Sequence, residues 1–241
     1  PAGALVLVLI CTMCALVCAA VGQVIFTASG PFGGYPDGTF NRRPVEIGGG
    51  LSASPRGDFF IATKDITASR LCNQQVLSEY ITAGTCVRGE FWFYFFNEPR
   101  PAGSCLDLIH KIGNNQETKL VTISVEQPGT IVEDRVRNHL IVNTTAGDSF
   151  RSANAYDFAS GGPNMNGWHK IEYFIKVADG TSGRIRLKID NNDEGGLDGI
   201  NTRQGVNWQY LAYGVITMHR QPLEYCFDDI FVEYCSEDVF E

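Results

Sequence analysis

Two neighbouring stretches, "WHKIEYFIKV" (Trp168–Val177) and "GRIRLKID" (Gly183–Asp190), alternate apolar and polar side chains along their length. Ile171, Tyr173, Ile175 and Val177 fall on one parity, with Lys170, Glu172 and Lys176 on the other. Ile185, Leu187 and Ile189 then alternate with Arg184, Arg186 and Lys188. A period of two puts successive side chains on opposite faces of a strand, and a helix cannot segregate such a pattern. The two stretches therefore read as one hairpin. Apolar residues must meet apolar ones across it, which opposes Ile175 to Ile185, Tyr173 to Leu187 and Ile171 to Ile189. The same register opposes Glu172 to Lys188, Lys170 to Asp190 and Phe174 to Arg186, so much of the cationic stripe on the outward face is neutralised across the strands.

The period of two recurs elsewhere. "KLVTISVE" turns Val121, Ile123 and Val125 inward, and "CFDDIFVEYC" buries Ile230, Val232 and Tyr234. "FWFYFF" (Phe91–Phe96) is apolar on both parities, as a central strand should be. One stretch, "ASRLCNQQVLSEYITAG" (Ala68–Gly84), is expected to be the single helix, with Ser69 as N-cap, Leu77, Tyr80 and Ile81 on one face and Gly84 closing it; a strand is the alternative. Many strands, Gly/Asn/Asp turns and 241 residues fit one large antiparallel sandwich of two sheets.

The run "GEFWFYFF", then "LDLIHKIGNNQETKLVTISVE", "GWHKIEYFIKV", "GRIRLKID" and "YCFDDIFVEY", resembles a concanavalin A-like jelly roll of the laminin-G-like kind, over about residues 88 to 235. The resemblance implies an all-β jelly-roll sandwich. It implies fold more than activity, since the superfamily includes lectins, carbohydrate-binding modules, glycoside hydrolases, polysaccharide lyases and structural modules.

Composition excludes one class of partner. The net charge of −8, with no basic run, argues against nucleic acid, which needs clustered Lys and Arg. On the hairpin, Trp168, Lys176, Arg184 and Arg186 are candidates for a glycan or partner surface. "DNNDEGGLDG" opens like a calcium loop, offering Asp190, Asn192, Glu194 and Asp198, but its twelfth position is Asn201 and the bidentate carboxylate is missing. Laminin-G-like domains often hold calcium on a rim loop, so calcium is the one ion considered; no motif requires a cofactor. No serine elbow, zinc helix or phosphate loop is present. Asp229, Phe231 and Glu233 share a parity, which a glycosidase could use as a carboxylate pair. His110, His139, His169 and His219 are isolated in sequence. The expectation is no catalysis, with polysaccharide lyase or glycosidase as the residual reading. Asn143 heads the sequon Asn143-Thr144-Thr145, a glycosylation acceptor in a competent host.

The chain opens on "ALVLVLICTMCALVCAAVG" (Ala4–Gly22), an uncharged stretch. It lacks the basic region of a signal peptide and the basic flank of a membrane span. It is therefore expected to act as an assembly arm over residues 1–26, with 27–241 forming the jelly roll. Leu5, Val6, Leu7, Val8, Leu9, Ile10, Leu16 and Val17 would dock as a strand into a neighbouring sandwich, a contact that propagates into open chains. Cys11, Cys14 and Cys18 fill the same stretch; Cys72, Cys86, Cys105, Cys226 and Cys235 are scattered through the body and fit a disulfide-permissive compartment. Five cannot all pair among themselves. Cys226 and Cys235, nine apart on one extended strand, lie too far apart to bridge. These features lead to an extracellular or cell-surface subunit that polymerises with itself. The alternative is a secreted or membrane-anchored carbohydrate-binding module, extending to a polysaccharide lyase; a membrane is a partner only if the opening stretch is an anchor.

Overall fold

The computed structural model describes residues 21–28, 61–65, 71–95, 111–113, 119–126, 130–132, 135–158, 168–215 and 223–240. The apolar stretch up to residue 20, with the arm residues Leu5 to Ile10, Leu16 and Val17, lies outside them, as do Cys105, His110 and His219. The described strands are β1 (Val24–Ala28), β2 (Ile61–Asp65), β3 (Leu71–Ile81), β4 (Cys86–Phe95) and β5 (Lys111–Gly113). Then come β6 (Val121–Val125), β7 (Thr130–Val132), β8 (Arg135–Arg137), β9 (Leu140–Thr144) and β10 (Ser149–Arg151). The last five are β11 (His169–Lys176), β12 (Gly183–Ile189), β13 (Asn192–Ile200), β14 (Trp208–Val215) and β15 (Leu223–Tyr234). A 3-10 turn, Glu237–Phe240, follows β15. Among the described residues no helix is long and apolar enough to cross a membrane.

All pairings are antiparallel. A seven-stranded sheet runs β1-β15-β4-β11-β12-β13, with β2 also on β15; a six-stranded sheet runs β10-β9-β6-β5-β14-β3; β7 and β8 form a ribbon of their own. The result is an all-β, two-sheet jelly-roll sandwich. Its core lies between the inward parities. Val87, Phe91, Phe93, Ile171, Tyr173, Ile185 and Leu187 come from one sheet, and Ile123, Val142, Trp208, Leu211 and Tyr213 from the other. The hairpin β11–β12 adopts the expected register pair by pair, Ile171 on Ile189, Tyr173 on Leu187 and Ile175 on Ile185. Phe91–Phe95 of "FWFYFF" form the second half of β4, which lies between β15 and β11 as a central strand must.

The expected helix is a strand. Leu77 and Ile81 are buried and Tyr80 is 55% exposed, so the true period of this segment is two. A spacing of four satisfies both the helical repeat and an even strand parity, and only Tyr80 separates the two readings. Gly84, at φ +85°, makes the turn into β4 instead of closing a helix. β1 starts at Val24 and pairs with β15, so the sandwich begins within the segment assigned to the arm.

Candidate functional site

The outward face of the seven-stranded sheet is built from register. Thr27, Phe231, Glu90, Glu172 and Lys188 make one row across β1, β15, β4, β11 and β12. Glu233, Arg88, Phe174 and Arg186 make the next. Asp228, Trp92 and Lys170 make a third on the other side. Between these rows lies a groove of about 460 Å³ lined by Thr27, Arg88, Glu90, Lys170, Asp229, Ile230, Phe231 and Glu233.

Arg88 is the hub of the groove floor. Its Nη2 donates to Glu90 Oε2 at 2.6 Å and to Glu172 Oε1 at 2.8 Å, and its Nη1 to Glu233 Oε1 at 3.2 Å. Lys170 Nζ lies 3.0 Å from Glu90 and 3.2 Å from Glu172. Burial opposes the charge on Arg88, but the hydrogen bond to Glu172 and the surrounding carboxylates outweigh it and hold the guanidinium above its ordinary pKa. Burial would likewise raise Glu172; its hydrogen bond to Arg88 and the charge of Lys170 prevail and hold it below the ordinary range. Glu172 therefore stays ionised at neutral pH and cannot serve as a general acid. What this floor can do is hold fixed donors and acceptors toward a ligand.

A bulge in β15 shapes one wall. Asp228 pairs with Trp92 and Phe231 with Glu90, so one extra residue is accommodated between them. Asp229 takes φ +45°, a left-handed conformation that L residues adopt at a cost of about 1 kcal/mol or more, and its N–H donates to Asp228 Oδ1 at 2.8 Å. The bulge leaves Phe231 half-buried on the groove wall.

The sequence-level candidates are distributed unevenly. Asp229, Phe231 and Glu233, selected by parity, do converge on the groove. Trp168 is buried and stacks under Tyr94 at 5.5 Å, so it supports the outer surface instead of forming it. Lys176 pairs with Glu237 at 2.7 Å, Arg186 binds both oxygens of Asp198, and Arg184 lies 3.5 Å from Asp198. Most of the stripe is neutralised, but by partners other than the directly opposite ones the register suggested. Glu172 turns to Arg88, and Lys188 sits over the Phe174 ring at 5.4 Å.

Three of the calcium candidates are taken up by protein partners, Asp190 and Glu194 by hydrogen-bond donors and Asp198 by arginines. Asp190 and Asn191, at φ +52° and +68°, form the tight turn of a second hairpin, and Asn192 opens β13. Asp190 accepts from His169 Nδ1 at 2.6 Å and from the Lys170 N–H at 2.9 Å. Glu194 is buried and accepts from Asn154 N and Nδ2 at 2.8 and 3.0 Å and from the Tyr156 hydroxyl. Asp198 is on the arginines. Among the described residues no three His, Cys, Asp or Glu side chains are gathered to hold a metal ion.

Both nitrogens of His169 are engaged, the second lying 3.1 Å from the Asp157 carbonyl. His139 Nδ1 lies 2.8 Å from the Ser152 carbonyl. Asn143 lies within β9, paired to Ser149 and Thr122 and half-buried, on the six-stranded sheet, with Thr144 between it and the turn that follows. Arg88, Glu90, Trp92 and Glu172 also belong to the outward face of the seven-stranded sheet, and no local motif marks them as site residues. Their shared outward parity was visible, but not that β4 and β11 are neighbours.

No family model matches this chain, and no curated protein sequence matches it. Solved structures do. An endo-β-1,4-glucuronan lyase from the fungus Trichoderma reesei superposes with a TM-score of 0.56 at 11% identity, over 88% of this chain and 95% of that one. A botulinum neurotoxin type C structure, from work on its cell entry through two ganglioside molecules, gives 0.54 at 12% identity, over 88% of this chain and 48% of that one. The botulinum neurotoxin serotype C1 binding domain gives 0.53 at 11%, over 88% and 49%. This chain spans about half the length of the neurotoxin chains. At these identities the likeness is one of fold.

Proposed function

We propose that this protein is a carbohydrate-binding module outside the cell, and that the groove on the seven-stranded sheet takes a neutral glycan. The carrying observation is the groove itself, where an aromatic wall, Phe231, stands over a fixed network of charged hydrogen-bonding groups centred on Arg88. A sugar ring is amphipathic in the same way. Its C–H face packs on an aromatic ring, and its hydroxyls donate to carboxylates and accept from a guanidinium. The fold neighbours add support: one acts on a polysaccharide, and another enters cells by way of gangliosides. They favour the glycan reading over a self-assembling fibre.

Charge selects among glycans. Arg88 and Lys170 face the three carboxylates Glu90, Glu172 and Glu233, so among the described residues this ion-pair cluster carries an excess of negative charge. A uronate entering the groove meets repulsion, and the cations that would neutralise its carboxylate are already ion-paired. The same argument disfavours a uronate lyase in this groove.

Affinity electrophoresis in gels cast with β-glucan, mannan, xylan, alginate or glucuronan tests the reading. A neutral polysaccharide should retard the protein while the two polyuronates do not, and Phe231→Ala should weaken binding roughly tenfold or more. The reading fails if no neutral polysaccharide retards the chain. Ultraviolet absorbance from unsaturated products of glucuronan or alginate would replace it with a lyase.

A further inference from the structure

Where β4 begins and β15 ends, two cysteines face each other. Tyr234 is the register partner of Val87, which makes Cys235 and Cys86 the next pair, and the Cys235 N–H donates to the Cys86 carbonyl at 2.9 Å. Val87 and Tyr234 point into the core, so the cysteines share the outward face. Cys86 is buried with Phe174 and Phe240, and half-buried Cys235 packs against them. Both are free thiols. Directly opposed residues of a hydrogen-bonded antiparallel pair have Cα atoms about 5.5 Å apart, inside the window in which disulfides form. Their Cβ atoms, about 4.5–5.5 Å apart, are somewhat wider than a relaxed disulfide holds them, so a bond here draws the strands together and is more easily reduced than a relaxed one.

We propose that Cys86 and Cys235 form a redox-responsive pair that closes to an interstrand disulfide on meeting a small-molecule disulfide oxidant such as glutathione disulfide. Cys235, the more exposed of the two, loses its proton and attacks one sulfur of the oxidant, giving a mixed disulfide and releasing one glutathione thiolate. Cys86 then loses its proton and attacks Cys235 Sγ, closing the protein disulfide and releasing the second glutathione. Two thiols are oxidised and one small disulfide is reduced. Burial pushes Cys86 up to about 11 and Cys235 up to about 12, so closure is slow at neutral pH and accelerates in base.

The bond would pin a corner where several elements meet. Gly22 donates to the Tyr234 carbonyl at 2.8 Å, tying the start of β1 to the same end of β15. Lys176 holds Glu237 of the 3-10 turn at 2.7 Å. The pair also lies two residues along both strands from Arg88 and Glu233, the groove-floor ion pair. Closure would stiffen that end of the groove.

The test equilibrates the whole chain with graded ratios of glutathione disulfide to glutathione at mildly alkaline pH, quenches with acid, and maps peptides by mass spectrometry without reduction. A cross-linked peptide pair containing Cys86 and Cys235 is expected, lost after dithiothreitol. The bond closes a loop of about 150 residues, so oxidation should raise the thermal midpoint by several degrees, and Cys235→Ser should show neither effect. Because Cys235 is only half-buried, that variant is the one expected to fold, with circular dichroism as the check. The proposal is overturned if Cys86 and Cys235 are both still alkylated on denaturation after oxidation, or if either bridges instead to Cys72, Cys105 or Cys226.

Discussion

Gly89→Ala is expected to cost about 3 kcal/mol or more of folding stability, or to prevent folding outright. An alanine Cβ at this position would overlap the Tyr173 ring, meeting its Cζ, hydroxyl and Cε1 atoms. Tyr173 is 1% exposed and packed between the sheets, and Gly89 is its register partner on β4, so neither can yield without moving a central strand. Overpacking a core costs about 1–3 kcal/mol and more where backbone is involved. In an ordinary strand the same change would stabilise by about 0.4–1 kcal/mol, because alanine restricts the unfolded chain. The sign is therefore diagnostic. Urea unfolding of Gly89→Ala, Tyr173→Leu and the double variant measures it. The double variant should lose less than the two single losses combined, since leucine vacates the space the methyl needs. A Gly89→Ala protein as stable as the parent would mean that Gly89 and Tyr173 do not meet as described.

Arg88→Ala is the second large effect, and its signature is its pH dependence. Removing the guanidinium takes away the hydrogen bonds to Glu90, Glu172 and Glu233 and leaves Lys170 as the cation beside Glu90 and Glu172. The Glu172 side chain is only 8% exposed, so its charge is left largely unsolvated. Breaking a pair of this kind costs about 3 kcal/mol at neutral pH. The folded pKa of Glu172 lies below its ordinary 4.5, so the stability it contributes is present above that value and is lost as pH falls through the folded pKa. Without Arg88 the carboxyl has less reason to stay ionised, and protonation relieves the variant. The gap between parent and variant should be widest near neutrality and should narrow as pH falls below the carboxyl range. Urea unfolding across an acid-to-neutral series checks this, and Arg88→Lys should recover only part, since an ammonium lacks the planar fork. A gap that does not change with pH would mean that Arg88 acts through packing alone. Arg88→Ala should also abolish glycan retention, because the groove floor depends on it.

The hairpin shows how much of this was legible in advance. Its register follows from burial alone, because a one-residue slip would send Ile171, Tyr173, Ile175 and their partners to solvent. β6 and the last half of β15 follow for the same reason, with Val121, Ile123, Ile230 and Val232 all buried. The segment Leu71–Ile81 admits both a helix and a strand from its sequence, because two buried residues four apart satisfy both periods.

The candidate groove divides along the same line. Asp229, Phe231 and Glu233 could be chosen from one strand's alternation, although the bulge that turns Asp229 toward the groove has no signature in the pattern. Arg88 and Glu172 are 84 residues apart, Arg88 and Glu233 are 145 apart, and the facing thiols Cys86 and Cys235 are as remote. Alternation is a local quantity: a strand's own residues determine which side chains face the core and, across a short turn, which partner they meet. Which distant strand lies alongside is decided by how two whole sheets close over a shared core. The ion-pair hub, the groove and the thiol pair therefore exist only in the tertiary structure, while the sandwich that makes them and the hairpin register are already determined by the sequence.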